Sequence, residues 1–210
     1  MNTPGALAAR LAVHPLVTAT YPGSRAVLLL LNDAGLLALR GRGRQALLDQ
    51  LQADIAYPGS DSPFNVRLLD TAPVATDLPA IDRLLEAPRP ACATTLAEHE
   101  HDGVWKLTLT LPLELLCFDG HFPQAPVLPG VMQIAWALAL AAPRLGTSSR
   151  CRDMKGLKFQ RLLHPGDRVE LHLHVDHKAT ATGGDMLHFS YRLGDVHCSS
   201  GRLLTGHAHD

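Results

Sequence analysis

The stretch Phe118-Asp-Gly-His-Phe-Pro-Gln-Ala-Pro-Val-Leu-Pro-Gly-Val-Met132 leads directly into a long apolar segment of the chain. Its three prolines and two glycines predict a stiff loop that holds His121 in a fixed place. Proline is favoured in the first turn of a helix, so we predict a buried helix from Pro129 to about Leu140. One stiff loop followed by one long apolar helix is therefore the centre of the predicted fold.

Strands are predicted on both sides of this helix. The segments Val104–Leu111, Arg168–Val175 and His188–Leu193 alternate apolar and polar residues, as half-buried strands do. The turn Thr182-Gly-Gly-Asp185 predicts a hairpin between the last two strands. Together these patterns predict an α+β fold, in which an antiparallel sheet wraps round a single helix.

The first ninety residues predict a separate small α+β module. A buried strand is expected at Ala26–Leu31, followed by a cap at Asn32-Asp33 and a helix over Ala34–Ile55. After a Pro/Gly/Ser loop at residues 57–63, a strand at Asn65–Leu69 and a short helix at Ile81–Leu85 complete the module.

A break between the two parts is predicted at residues 86–93, where the prolines Pro88 and Pro90 interrupt any helical or alternating pattern. The expected organisation is a module at 1–85, a linker at 86–93, a second domain at 94–206 and a tail at 207–210.

Charge and composition exclude several classes of protein. Lys and Arg number 19 and Asp and Glu number 20, so the net charge is −1, which argues against a nucleic-acid partner. The run Ala26–Leu31 is far shorter than the ~20 residues that cross a bilayer, so no membrane association is expected. The four cysteines lie far apart with no C-x-x-C pair, which favours a reduced, cytoplasmic setting.

The loop and the start of the helix predict a chemical site. Helix N-termini present unpaired backbone N–H groups, so the amides near Gly130 are suited to hold a thioester carbonyl oxygen as it gains negative charge. Histidine titrates near neutral pH and is a suitable base for a proton next to a carbonyl. An isolated His121 in a loop is more often an ordinary surface residue, but its fixed spacing to Pro129-Gly130 favours a catalytic role.

The motif His121-Phe-Pro-x-x-Pro-Val-Leu-Pro-Gly-Val131 resembles the signature of the hotdog-fold 3-hydroxyacyl-(acyl carrier protein) dehydratases. The continuation Gln133-Ile-Ala-Trp136 is most similar to the branch associated with aryl polyene pigments. The resemblance covers roughly Ala93 to Gly206.

The resemblance implies a fold, a reaction and a set of site residues. In such enzymes the helix lies inside the sheet, two subunits pair, and water is removed from a 3-hydroxyacyl thioester carried on acyl carrier protein. The implied catalytic groups are the base His121 and the oxyanion-binding amide of Gly130, and no cofactor is implied. The positions implied to line the substrate site are Phe122, Pro129, Val131, Met132 and Trp136.

One position departs from the family. A carboxylate that assists loss of the hydroxyl stands fourteen residues after the histidine in these dehydratases, but here that position is Ala135. Gln133 lies about 200° away round the helix, so it points elsewhere, and Glu114 and Asp119 are most simply interpreted as solvated loop residues. Our first hypothesis is that the chain pairs with a related hotdog subunit that carries the acid.

Two other functions remain open at this point. One is a catalytically impaired hotdog subunit that binds acyl carrier protein or pairs with an active dehydratase. The other is thioester hydrolysis, for which the helix offers no carboxylate.

The segment from Tyr21 to Leu85 resembles, more loosely, the C-terminal lid of adenylate-forming acyl ligases. In such ligases a Gly-Lys pair brings a lysine to the adenylate, whereas the matching place here is Leu78-Pro-Ala80. A degenerate lid kept for packing or docking is therefore expected. Arg40, Arg42 and Arg44, or the stretch Lys155–Arg161, are candidate basic patches for an acidic carrier protein.

Other reactive residues do not predict a second site. His172 and His174 share one face of a strand, but no cysteine or carboxylate stands at ligand spacing, so no metal is expected. Cys117 has apolar neighbours and is interpreted as a buried, inert thiol.

Overall fold

The computed structural model describes residues 3–55, 65–176 and 184–207, which fold as two compact units. The first unit comprises Met1–Ala91 together with Pro112–Val127, and the second comprises Cys92–Leu111 together with Leu128–Asp210. The predicted loop at 57–63, part of the turn at 182–185 and residues 208–210 of the predicted tail lie outside the described residues. The predicted domain boundaries stay a prediction.

The first unit combines short helices with a three-stranded sheet. Its elements are α1 (Pro4–Leu11), β1 (Val17–Pro22), β2 (Val27–Leu31), α2 (Asp33–Asp54), β3 (Val66–Leu69), α3 (Leu78–Glu86) and α4 (Cys117–Gly120). In the sheet β2 lies between the other two strands, antiparallel to β1 and parallel to β3. Leucines and valines from α1, α2 and all three strands form its core, which also includes Leu113.

Local sequence explains α2. Asn32 caps its N-terminus, because Asn32 Oδ1 accepts a hydrogen bond of 2.9 Å from the amide of Gly35. The helix is kinked at Gly43, whose φ of 82° lies in the left-handed region that favours glycine. The predictions of β2, α2, β3 and α3 are confirmed within a few residues, whereas α1 and β1 were not predicted.

The second unit contains one long helix and a six-stranded antiparallel sheet. Its elements are β4 (Thr94–His101), β5 (Val104–Thr110), α5 (Gly130–Leu145), β6 (Thr147–Phe159), β7 (Arg168–Asp176), β8 (Asp185–Leu193) and β9 (Val196–His207), and the strands follow the order β4-β5-β7-β8-β9-β6. Helix α5 contacts β6 and β7. Six of its residues are buried, so the sheet wraps round one apolar helix in the predicted hotdog arrangement.

The predicted helix and three predicted strands match α5, β5, β7 and β8 closely, whereas β4, β6 and β9 were not predicted. Helix α5 begins at Gly130, with Pro129 as its N-cap, and continues beyond the predicted end at Leu140. It ends where Gly146 adopts a φ of 65°, which is the usual glycine stop. Within the described parts of the chain, no helix is long and apolar enough to cross a membrane.

Candidate active site

His121 follows directly after the single turn of α4. Its ring centroid lies 4.4 Å from that of Phe122, and its Nδ1 is buried without a hydrogen-bond partner among the described residues. Phe122 has a φ of 58°, a strained conformation for a bulky side chain that is typical of functional turns. The turn is closed by a hydrogen bond of 2.8 Å from the amide of Ala125 to the Phe122 carbonyl.

The first N–H groups of α5 have no carbonyl partner within the helix itself. The Pro129 carbonyl accepts the amides of Met132 and Gln133 at 3.0 and 3.1 Å. Gly130 and Val131 precede these residues, so their N–H groups have no carbonyl one turn earlier in the helix. A Cβ at position 130 would lie 2.8 Å from two ring carbons of Phe159, so only glycine fits without moving that ring.

The predicted substrate-lining residues differ in exposure. Phe122 and Val131 are 60 % and 70 % exposed, whereas Trp136 is only 5 % exposed and packs in the core of the second unit. Pro129 is buried and Met132 is half-buried. The indole Nε1 of Trp136 has no hydrogen-bond partner within the described ranges. The role of these residues in lining a substrate site stays a prediction.

Ala135 lies on the exposed side of α5, as Val131 and Ala139 do one turn away on either side. Gln133 points the other way, into the core. Its Nε2 donates to the Leu128 carbonyl at 3.2 Å, and its Oε1 accepts from the Ser199 hydroxyl at 2.5 Å. As the spacing predicted, Gln133 cannot take the place of the family carboxylate.

The hydroxyl of Tyr191 holds the backbone of α5 near Gln133. It donates to the Gln133 carbonyl at 2.9 Å in a buried position. Burial raises the pKa of Tyr191, so the phenol remains a neutral donor.

The interpretation of Glu114 as a solvated residue is wrong. Glu114 is only 3 % exposed, and its Oε1 accepts from Arg44 Nε and from the amide of Leu68, both at 3.0 Å. Its Oε2 lies 3.0 Å from Arg89 Nε, whose N–H is directed at the Glu114 carbonyl at 3.1 Å. A buried carboxylate needs such cationic partners, and Arg44 and Arg89 both lie beside it, while Oε2 itself is buried without a hydrogen bond among the described residues.

Asp119 is exposed, as predicted, but it is not free. Both of its carboxylate oxygens accept from the guanidinium of Arg89, at 2.5 and 3.1 Å. This hydrogen bonding raises the pKa of Arg89. Neither Glu114 nor Asp119 is therefore an unengaged acid.

The other residues that the sequence singled out are the arginines of α2, the histidines of β7 and Cys117. Arg44 is engaged by the carboxylate of Glu114, which compensates its charge, whereas Arg42 Nη1 donates to the neutral Gln50 Oε1 at 2.6 Å and keeps its charge on α2. His172 pairs with Glu170 on the surface of β7. The parts of the chain that the structure describes contain no cluster of three or more groups suited to a metal ion. Cys117 is partly exposed rather than buried.

Comparison with known proteins identifies the class to which this fold and motif belong. Residues 97–202 match the model of the ApeI-like dehydratase family, described as ApeI dehydratase. The chain is 37 % identical over 122 residues to the 3-hydroxyacyl-[acyl-carrier-protein] dehydratase FabZ of Anaeromyxobacter sp. (strain Fw109-5), covering 50 % of this chain and 73 % of that protein. It is 36 % identical over 87 residues to FabZ of Rickettsia akari, covering 37 % and 57 %.

Solved structures include similar chains. A chain of the dehydratase heterocomplex ApeI:P from Xenorhabdus doucetiae is 29 % identical, with a TM-score of 0.48 over 55 % of this chain and 98 % of that one. An uncharacterised protein from Erwinia carotovora subsp. atroseptica is 26 % identical, with a TM-score of 0.44 over 57 % and 99 %.

The chain is thus a dehydratase-type protein of the hotdog class. Within that class it belongs to the ApeI-like dehydratase family, through residues 97–202.

Proposed function

We propose that this protein removes water from 3-hydroxyacyl thioesters carried on acyl carrier protein and gives the trans-2-enoyl thioester. The observation that carries the proposal is the family motif of His121 followed by Gly130 as the first residue of the buried helix α5. The 37 % identity to a FabZ dehydratase supports the same reaction. By its likeness to the aryl polyene branch, the pathway would be the synthesis of such pigments or of fatty acids.

In the proposed reaction His121 accepts the proton from C2 through a ring nitrogen. The electron pair of the C2–H bond forms the C2–C3 double bond as the C3–O bond breaks, and the hydroxyl leaves with one further proton as water. The Gly130 amide would hold the thioester oxygen while negative charge develops on it, since a helix N-terminus favours negative charge. The thioester itself acidifies the C2 proton, so no cofactor is needed.

The further proton needs a donor, which Ala135 does not provide. We propose that it comes from a second hotdog subunit, a related chain that retains the carboxylate. The exposure of Ala135 on α5, with the exposed apolar neighbours Val131 and Ala139, supports this pairing. Glu114, Asp119 and Gln133 are engaged elsewhere, which also supports an external donor.

The first test separates the base from the acid. A saturated acyl thioester has no hydroxyl to lose, so in deuterated water it reports only the exchange of its C2 proton. This exchange needs His121 as the base but needs no acid. We expect exchange by the purified chain and a loss of about 10²- to 10⁴-fold in His121→Ala, the usual effect of removing a positioned base. Equal exchange by the wild type and His121→Ala would contradict the proposed mechanism.

The second test supplies the missing carboxylate. Ala135→Glu should raise dehydration of a 3-hydroxyacyl carrier-protein substrate by about 10²-fold or more in the purified chain, since it restores a positioned acid. Ala139→Glu is the matched control, because it adds the same carboxylate to the same exposed side one turn later. A strictly homomeric wild type with full activity that Ala135→Glu does not raise would rule out a donor from a different subunit.

A further inference from the structure

The segment that carries His121 folds with residues 1–91, called the N-terminal module from here on and including most of the predicted linker, rather than with the helix that follows it. Residues 112–127 lie inside the family-matched range, yet they belong to the same compact unit as residues 1–91. Three parts of that module reach the segment: the kink of α2, the end of β3 and the stretch around Arg89.

The first anchors lie before His121. The amide of Leu113 donates to Asp70 Oδ1 at 2.7 Å, and Leu113 itself packs in the core of the first unit. The buried carboxylate of Glu114 accepts from Arg44 on α2 and from the amide of Leu68 on β3. Backbone and side chain of the segment are thus tied to two separate elements.

Arg89 holds the part nearest to the histidine. Its guanidinium makes a two-pronged contact with Asp119, two residues before His121, and its Nε reaches the carbonyl of Glu114. A fork of this kind fixes orientation as well as position. Beside it, the Pro90 carbonyl accepts the amide of Leu116 at 3.0 Å.

The last anchor lies after His121. A Cβ built on Gly43 would stand 1.6 Å from the carbonyl oxygen of Pro123, so the backbone of the α2 kink lies directly against the residue two places beyond the histidine. Glycine is required here twice, for this approach and for its φ of 82°. Contacts with the N-terminal module at residues 113, 114, 116, 119 and 123 therefore hold the chain on both sides of His121.

We propose that the N-terminal module is a positioning clamp for the catalytic loop, in which Gly43, Arg89 and Glu114 act through the segment to hold His121. The inference rests on the proposed role of His121 as the base. It gives the module a use that does not depend on the predicted resemblance to a ligase lid.

The test uses two glycines of one helix. In Gly43→Ala the new methyl group collides with Pro123, whereas a Cβ at Gly41 meets nothing within 4 Å, so Gly41→Ala is the matched control. Gly43→Ala should lower kcat and the C2 exchange rate by about 10- to 100-fold with little change in KM, since small displacements of a catalytic group cost this much. Gly41→Ala should leave both rates within about twofold.

Asp119→Asn provides a second variant that leaves no buried charge unpaired, with the surface variant Asp49→Asn as its control. It should lower kcat by about 10-fold, on the same argument of misplacement. Backbone hydrogen exchange over residues 113–125 should be faster in Asp119→Asn and in folded Gly43→Ala than in the two controls. This readout needs no turnover.

The outcomes separate the clamp from the proposed function. If the wild type shows neither dehydration nor C2 exchange, the proposed function fails, while faster hydrogen exchange in the two variants still supports the clamp. If the wild type is active and Asp119→Asn matches Asp49→Asn in kcat and in hydrogen exchange, the clamp is overturned.

Discussion

In the proposed reaction, Gly130 offers the first amide of α5 to the substrate carbonyl. Phe159 lies so close that a methyl group at position 130 would stand 2.8 Å from its ring. The absence of a side chain thus keeps both the ring and the approach to the amide in place. Substitution at this residue tests the oxyanion role without removing the N–H group itself.

We expect Gly130→Ala to lower kcat by about 10²-fold, because the new methyl group displaces the amide from the developing oxyanion. Steady-state kinetics with a 3-hydroxyacyl carrier-protein substrate measures this loss. The double variant Gly130→Ala/Phe159→Leu should recover part of the activity, since a smaller side chain relieves the contact. Unchanged kcat in folded Gly130→Ala would remove Gly130 from the mechanism.

The carboxyl of Asp70 makes the stability of the first unit depend on pH. Desolvation by burial raises its pKa above the ordinary 3.8, although its hydrogen bond from Leu113 opposes that shift. A carboxyl with a raised native pKa binds more protons when folded than when unfolded. Its contribution to stability is therefore complete below about pH 3.8 and is lost as the pH rises through the native pKa.

In Asp70→Asn the amide oxygen can still accept from Leu113, but nothing titrates. The free energy of unfolding of the wild type should fall relative to Asp70→Asn as the pH rises from about 3.8. Urea unfolding of both proteins at several pH values from about 3.5 to 7 measures the difference. This range covers the pH values at which carboxyl groups usually titrate. A difference that grows in the opposite direction would contradict the assigned shift.

Helix α2 supports the contacts that reach the catalytic segment, since it contributes both Gly43 and Arg44. Its N-terminus depends on Asn32, which accepts from Gly35 and donates through Nδ2 to the Pro15 carbonyl at 2.8 Å. The cap therefore fixes the start of the helix and its entry loop together.

Replacement of the cap should destabilise the first unit. Asn32→Ala is expected to lower the free energy of unfolding by about 0.5–2 kcal/mol, the usual value for loss of an N-cap. Asn32→Asp keeps the acceptor and should cost less. Chemical denaturation followed by circular dichroism measures both, and equal stability of Asn32→Ala and the wild type would show that α2 does not need this cap.

One outer strand of the six-stranded sheet exposes three large apolar side chains. Strand β6 ends the sheet next to β9 and exposes Met154 at 48 %, Leu157 at 37 % and Phe159 at 48 %. A long outer strand with exposed apolar side chains favours pairing with another sheet. It is the edge through which we expect two hotdog subunits to join.

Light scattering should accordingly give a mass of at least two chains. Met154→Lys places a charge on the pairing edge and should weaken association by about tenfold or more, because lysine on an outer strand opposes edge pairing. Val196→Lys is the control, since Val196 is 43 % exposed but begins the inner strand β9. A monomeric wild type would contradict the predicted pairing.

Much of the second unit could be predicted because its signals are local. The alternation of apolar and polar residues predicted β5, β7 and β8, and the Pro129-Gly130 pair predicted the start of α5. Strand β4 has no buried residue, so it lacks the alternation that burial imposes, and register shifts interrupt β6. These two strands exist because of the neighbours they pair with rather than because of their own pattern.

The amino-acid sequence by itself determined the sheet round one helix, the His121 motif and the missing carboxylate at Ala135, because each depends on residues close together in the chain. Only the tertiary structure decided that Glu114 is buried and that residues 112–127 fold with residues 1–91. The partners of Glu114 are Arg44 and Arg89, 70 and 25 residues away. Ion pairs between such distant positions arise only when the chain has folded, so no local pattern encodes them.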